Sequence, residues 1–208
     1  MKQLTIPSYT EKKIKKGQFV LEKQDFPSLP FHDQAVELAN TKGQFIGIGY
    51  LSEQNKGIGW FISHKKVTLD VSFFCQLFQC AKEKRQVYQQ SEETTAYRLF
   101  NQEGDGFGGF TIDLYQDYAV FSWYNLFVYE MKETVVQAFQ HVFPEVAGAY
   151  EKIRFKGLDV ESAHLYGQEA SAFFTILENG VRYQVFLNDG LMTGIFLDQH
   201  EVRGSLAD

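Results

Sequence analysis

The sequence predicts an α+β fold in two parts, a small β-barrel followed by a mixed α/β domain. Three observations carry this prediction. The first 66 residues hold short β-rich runs separated by glycine turns. Phe74, Leu77, Phe78 and Ala81 then fall at i, i+3, i+4 and i+7, the single apolar stripe of an amphipathic helix. From Thr94 strand-like alternation returns, broken once by a second helical stripe. With 208 residues, 44% hydrophobic and 16% aromatic, the chain can pack a core, which excludes a disordered polymer.

Taken in order, residues 17–22, 35–39, 45–51 and 57–62 read as strands, with Thr41-Lys42-Gly43 as a hairpin turn. Pro27 and Pro30 break the connection before the second strand. Closely spaced short strands of this kind predict the barrel. A helix starts at Asp70 or Ser72, either of which can cap it. Lys82, Glu83, Lys84 and Arg85 at its end read as a solvated face. Residues 95–100, 110–115 and 118–124 are the next strands. A helix with Val128, Val135, Val136 and Phe139 on its apolar side follows, ended by Pro144. Strands at 148–155, 172–177 and 181–187 complete the pattern, the last two joined through Asn179-Gly180, a type I′ hairpin signal. A helix begins at Asp198, with no C-cap and no partner evident in sequence. Three segments result: a barrel at 1–68, a central α/β domain at 69–190 and a trailing segment at 191–208.

Gly104, Gly106 and Gly109 match the G-x-G-x-x-G pattern of a dinucleotide-binding loop. That chemistry needs a helix N-terminus after the loop to hold the pyrophosphate. Here Phe110-Thr111-Ile112-Asp113-Leu114-Tyr115 follows, which alternates like a strand, and Glu103 and Asp105 put negative charge where a phosphate would lie. The loop therefore reads as a strand-to-strand connection that needs positive φ. An ion pair between Arg98 and Glu103 or Asp105 reads as scaffolding in preference to an acid/base dyad.

A net charge of −6 argues against a nucleic-acid binder, but the charge is unevenly placed. Residues 1–66 carry ten lysines, no arginine and six acidic groups, a net of +4, whereas the remainder nets −10. Lys12, Lys13, Lys15 and Lys16 supply most of that excess and are the candidate RNA-binding residues; the competing reading is a solvated lysine run. Cys75 and Cys80, about 140° apart around a helix, suit neither a metal nor a disulfide and read as buried or half-buried thiols in a reducing cytoplasm. The five histidines are scattered, there is no Gly-x-Ser-x-Gly elbow, and no catalytic or metal constellation closes. The start has no h-region and no apolar run reaches the roughly 20 residues of a membrane helix, so the expected location is cytoplasmic.

Two motifs add a resemblance. Ala96-Tyr97-Arg98-Leu99, Glu103-Gly104-Asp105-Gly106 and Gly109 through Asp113-Leu114-Tyr115 resemble the "YRL…GEGDGLPGL.VD.Y" hallmark of RlmI-like methyltransferases. Thr193-Gly194-Ile195-Phe196-Leu197-Asp198-Gln199 resembles the "KTG.FLDQR" segment of the same family, in the same order. The family methylates carbon 5 of cytosine in large-subunit ribosomal RNA, using S-adenosylmethionine. Its members join a PUA domain, a central α/β domain and a Rossmann-like catalytic domain. The resemblance implies that residues 1–68 are PUA-like and that the Rossmann-like domain is absent from this chain. It places Thr193, Asp198 and Gln199 at the cofactor site of the whole enzyme, with no catalytic residue and no cofactor expected on this chain alone. It implies ribosomal RNA as partner and a homodimer. Met192, His200 and Gly108 stand where the family has lysine, arginine and proline. The alternative is a stand-alone RNA-binding or interaction module without catalysis.

Overall fold

The computed structural model describes residues 1–26, 29, 32–54, 57–188 and 190–205. The N-terminal part contains β1 (Lys2–Thr5), α1 (Ser8–Lys15), β2 (Val20–Leu21), β3 (Gln34–Ala39), β4 (Phe45–Gln54) and β5 (Gly57–Ser63). Its sheet runs β1-β3-β4-β5-β2, with β1 and β3 parallel and the other pairs antiparallel. No β1–β2 ladder closes it among the described residues, so the expected barrel is an open sheet. Leu4, Ile14, Leu21, Val36, Leu38 and Phe61 fill its core. The Asn40 side chain accepts from the Lys42 and Gln44 N–H groups and Gly43 takes φ +77°, which makes the expected hairpin turn. Pro27 and Pro30 lie outside the described residues.

β1 and α1 correct the sequence reading, which had no element before residue 17. In α1 only Thr10 and Ile14 are buried, so there is no apolar stripe to read. The Glu11–Lys15 pair at i, i+4 and the burial of Ile14 support the helix instead.

The second part begins with α2 (Val71–Lys84), α3 (Gln86–Gln89) and β6 (Ala96–Asn101). It continues through β7 (Phe110–Tyr115), β8 (Tyr118–Trp123), α4 (Leu126–Glu130), α5 (Lys132–Val142), β9 (Gly148–Ile153) and β10 (Ser162–Gly167). β11 (Phe174–Glu178), β12 (Val181–Val185) and α6 (His200–Gly204) close the chain. Asp70 caps α2 by accepting from the Phe73 N–H at 2.9 Å. The sheet order is β10-β9-β8-β7-β6, antiparallel except for β8 and β9. That parallel pair needs a long crossover, and α4 and α5 supply it. The single helix expected here is split at Met131, which ends α4 and starts α5. α2 and α5 pack on each other and cover one face of the sheet. The β11–β12 hairpin and Ile195 cover part of the other, over Tyr115, Val120 and Tyr150. Asn179 and Gly180 both take positive φ, as the type I′ signal requires. β10 was not legible because it is a bulged edge strand with no buried residue.

One aromatic core crosses from the first part to the second. Tyr50 of β4 and Trp60 of β5 belong to the same cluster as Phe74, Phe107, Phe110 and Phe127. Tyr50 stacks on Phe127 with ring centroids 4.5 Å apart. Its hydroxyl donates to the Gly108 carbonyl at 2.9 Å and accepts from Asn125 Nδ2 at 3.0 Å. Asn125 also caps α4 and donates to Gln54. The glycine loop is thus a docking surface. A Cβ at Gly108 would overlap the Trp60 ring, and one at Gly109 would meet the Tyr50 hydroxyl and Asn125. Gly106 and Gly109 take φ +97° and +103°, and the loop leads into β7 and not into a helix N-terminus, which fits the strand-to-strand reading and not a nucleotide loop.

Several local expectations are corrected. Arg98 pairs with Asp113, while Asp105 pairs with Arg85 through two 2.6 Å bonds. The end of α2 is therefore an anchor and not a solvated face: Lys84 also reaches Asp105, and Lys82 reaches the Val142 carbonyl and Glu145. Cys75 is half-buried as expected, but Cys80 is exposed. α6 has a partner after all: Arg203 makes a forked pair with the buried carboxylate of Glu178.

Candidate functional site

Two separate surfaces carry the residues of interest. The first is α1. Lys13 is bound to Glu22 at 2.6 Å and Asp25 at 3.5 Å, and Lys15 to Glu11 at 2.7 Å. The Lys13 hydrogen bond holds the Glu22 carboxyl below its usual range. Lys12 and Lys16 are exposed and have no carboxylate partner among the described residues. Carboxylates thus take up Lys13 and Lys15, and Lys12 and Lys16, four residues apart on one side of the end of α1, are left to attract an anion.

The second surface is the turn at 193–199. Thr193 is buried, and its hydroxyl is 2.8 Å from the Tyr115 hydroxyl, with a second contact of 3.4 Å to the Ile195 carbonyl. It anchors the turn on β7. Gly194 takes φ +94° and reverses the chain. Asp198 and Gln199 are exposed on the 3₁₀ turn that follows, beside Phe196, itself 57% exposed. His200 points elsewhere: its ring is edge-on to Tyr88, and both ring nitrogens are buried without a hydrogen bond.

The structure adds a polar half-face that the sequence reading did not single out. Register aligns Thr111, Ser122, Lys152 and Ser162 in one row across β7 to β10, with Arg98 and Asp113 in the next row. Lys152 is fully buried and donates to Ser162 and to the Leu187 and Gly190 carbonyls; Arg154 donates to the Leu191 carbonyl at 2.7 Å. These bonds tie the 187–191 segment down just before the Thr193 turn. The signal was present as polar residues on alternate positions of β7, but only strand register shows that they meet.

An open cleft of about 690 Å³, lined by Tyr88, Thr94, Tyr97, Leu114, Phe143 and Glu145 among others, contains none of these residues. Burial raises its Tyr97 phenol to about 12. Among the described residues no group of His, Cys, Asp and Glu could hold a metal, and no helix is long and apolar enough to cross a membrane.

The open sheet with its helix belongs to a recognised class: a PUA-like domain model matches residues 4–64. The whole chain is similar to proteins named for methyl transfer to ribosomal RNA. YwbD of Bacillus subtilis, named provisionally as a ribosomal RNA large subunit methyltransferase, is 38% identical over 100% of this chain and 54% of its own length. Ribosomal RNA large subunit methyltransferase I of Photobacterium profundum is 33% identical over 84% of this chain and 45% of its own. A Streptococcus mutans protein described provisionally as an S-adenosylmethionine-dependent methyltransferase superposes with TM-score 0.95 at 56% identity, covering 99% of this chain and 54% of that one. SMU.776, provisionally a methyltransferase and crystallised with SAH, matches with the same TM-score and identity over 53% of its length. The chain spans about half the length of the curated relatives it matches.

Proposed function

We propose that this chain is the RNA-binding and substrate-positioning part of a cytoplasmic S-adenosylmethionine-dependent methyltransferase that acts on carbon 5 of a cytosine in large-subunit ribosomal RNA. The observation that carries the reading is the whole-chain superposition at TM-score 0.95 on half of an S. mutans protein described provisionally as an S-adenosylmethionine-dependent methyltransferase. The relatives' names supply the RNA substrate class. In this reading Lys12 and Lys16 contact RNA phosphates, and Lys13 and Lys15 act mainly in shaping α1. Asp198 and Gln199 stand at the rim of the cofactor site, on a turn that Thr193 pins to Tyr115. The cofactor pocket and the attacking cysteine belong to the other half of the whole protein, which forms a homodimer. The 208 residues alone bind RNA but neither S-adenosylmethionine nor a metal. Isothermal titration tests this: no heat of S-adenosylmethionine binding is expected, together with salt-sensitive binding to ribosomal RNA fragments. Micromolar cofactor binding, or no RNA binding at low salt, would overturn it.

A further inference from the structure

The polar half-face of the central sheet has a charge pattern that α1 does not explain. Of the five arginines, Arg85 and Arg203 are locked by forked pairs to buried carboxylates. Arg98 makes a like pair with Asp113 but keeps more of its side chain in solvent than those two, and Arg154 makes no such pair among the described residues. Asp113 receives Arg98 Nε at 2.8 Å and Nη2 at 3.1 Å, which fixes the guanidinium plane and leaves Nη1 without a bond among the described residues. The Arg98 side chain is 35% exposed. Arg154 is exposed, spends only Nη2 on the Leu191 carbonyl and has no carboxylate partner among the described residues.

Both arginines border the same segment. Arg154 holds Leu191, two residues before Thr193. Asp113, the Arg98 partner, stands two residues before Tyr115 on the same face of β7, and Tyr115 holds Thr193. Burial and the Asp113 charge push the Tyr115 phenol up, while the Thr193 bond and then the charges of Arg98 and Arg154 pull the other way. Both cations are therefore within Coulomb reach of one hydroxyl. A guanidinium with a fixed plane and free N–H groups is matched by the oxygens of a phosphodiester.

We propose that Arg98 and Arg154 form a second RNA-phosphate contact at the solvent-facing margin of the buried polar half of the central sheet, flanking the Thr193 turn. This rests on the RNA-binding reading above and goes beyond it, because it adds a contact remote from α1 and next to the turn assigned to the cofactor rim. An RNA strand held at both α1 and the sheet is fixed at two points and not one, which sets the register of the target nucleotide. The arginines read backbone and not sequence.

The test is fluorescence anisotropy of labelled large-subunit ribosomal RNA fragments over a sodium chloride series, with the full chain. Arg154→Ala removes an exposed side chain with one bond. Arg98→Gln combined with Asp113→Asn exchanges the ion pair for amides that still hydrogen-bond, and a melting curve confirms that this variant folds. Each change is expected to reduce the slope of log K against log salt by about 0.7 to 0.9, one lost phosphate contact. Lys12→Ala with Lys16→Ala serves as the comparison. Unchanged slopes in both arginine variants, with a reduced slope in the lysine variant, would overturn the second contact and leave the RNA reading intact. A wild-type chain without salt-dependent binding would overturn both.

Discussion

At the scale of single residues, Asp105 shows how a loop carboxylate becomes a structural fastener. Its side chain is 1% exposed, yet it accepts from both Arg85 Nη groups, Lys84 and the Asn101 N–H. Burial pushes its carboxyl up, but those bonds outweigh it and hold it below the usual carboxylate range. Removing one partner of a buried pair strands the other, so Asp105→Asn is expected to cost about 3 kcal/mol in urea unfolding. The pH sign follows from the lowered value in the folded state. The contribution is fully present above the ordinary carboxylate range near pH 4 and is lost as pH falls through the folded value. In an acid titration of stability, Asp105→Asn should flatten that part of the curve; an unaltered curve would refute the assignment. Asn125 is the second such residue, capping α4 while bonding Tyr50 and Gln54. Asn125→Ala is expected to cost about 2 kcal/mol.

At the scale of elements, the glycine loop between β6 and β7 couples two requirements. Gly106 and Gly109 need the left-handed region, and Gly108 and Gly109 need the absence of a Cβ against Trp60 and Tyr50. Gly109→Ala carries both backbone strain and a clash, and should destabilise by about 3 kcal/mol. Gly180→Ala, in the open hairpin turn where a Cβ meets nothing, carries strain alone and should cost about 1 kcal/mol. Equal losses in thermal melts of the two variants would argue that docking at Gly109 contributes nothing. These elements also show what a sequence can disclose. The α2 cap at Asp70, the Asn179-Gly180 turn and the strands at β6, β7 and β8 were all legible, because each depends on local periodicity or a turn's φ demand. α1 and β10 were not legible. α1 buries too few residues to leave a stripe, and β10 is a bulged edge strand.

For the whole molecule, the shared aromatic core predicts one cooperative unit. Trp60 lies in the first part and Trp123 in the second, and both belong to one buried cluster. Single-tryptophan variants Trp60→Phe and Trp123→Phe should each report a single unfolding transition, with coincident probes within each variant. Two midpoints, one for each part, would show that the seam at Tyr50 and Gly108 is weaker than its packing indicates. For a molecule of this size, a loss of 1 kcal/mol lowers the melting temperature by about 2–4 °C, so seam variants are measurable by calorimetry.

The sequence alone determined the succession of β-rich part, helix and mixed sheet and the strand-to-strand nature of the glycine loop, and it supplied the motif resemblance on which the proposed roles of Thr193, Asp198 and Gln199 rest. Periodicity, turn chemistry and short motifs are local, and they survive in a one-dimensional reading. Only the tertiary structure decided which charges pair: that Asp105 takes Arg85 and not Arg98, that Lys13 and Lys15 are partly neutralised, and that Thr193 turns its hydroxyl onto Tyr115. It also decided that the glycine loop is a seam against Tyr50 and Trp60, residues some 50 positions away in the chain. Pairing and docking depend on strand register and on which faces meet in space, and neither is encoded within a few residues of the groups involved.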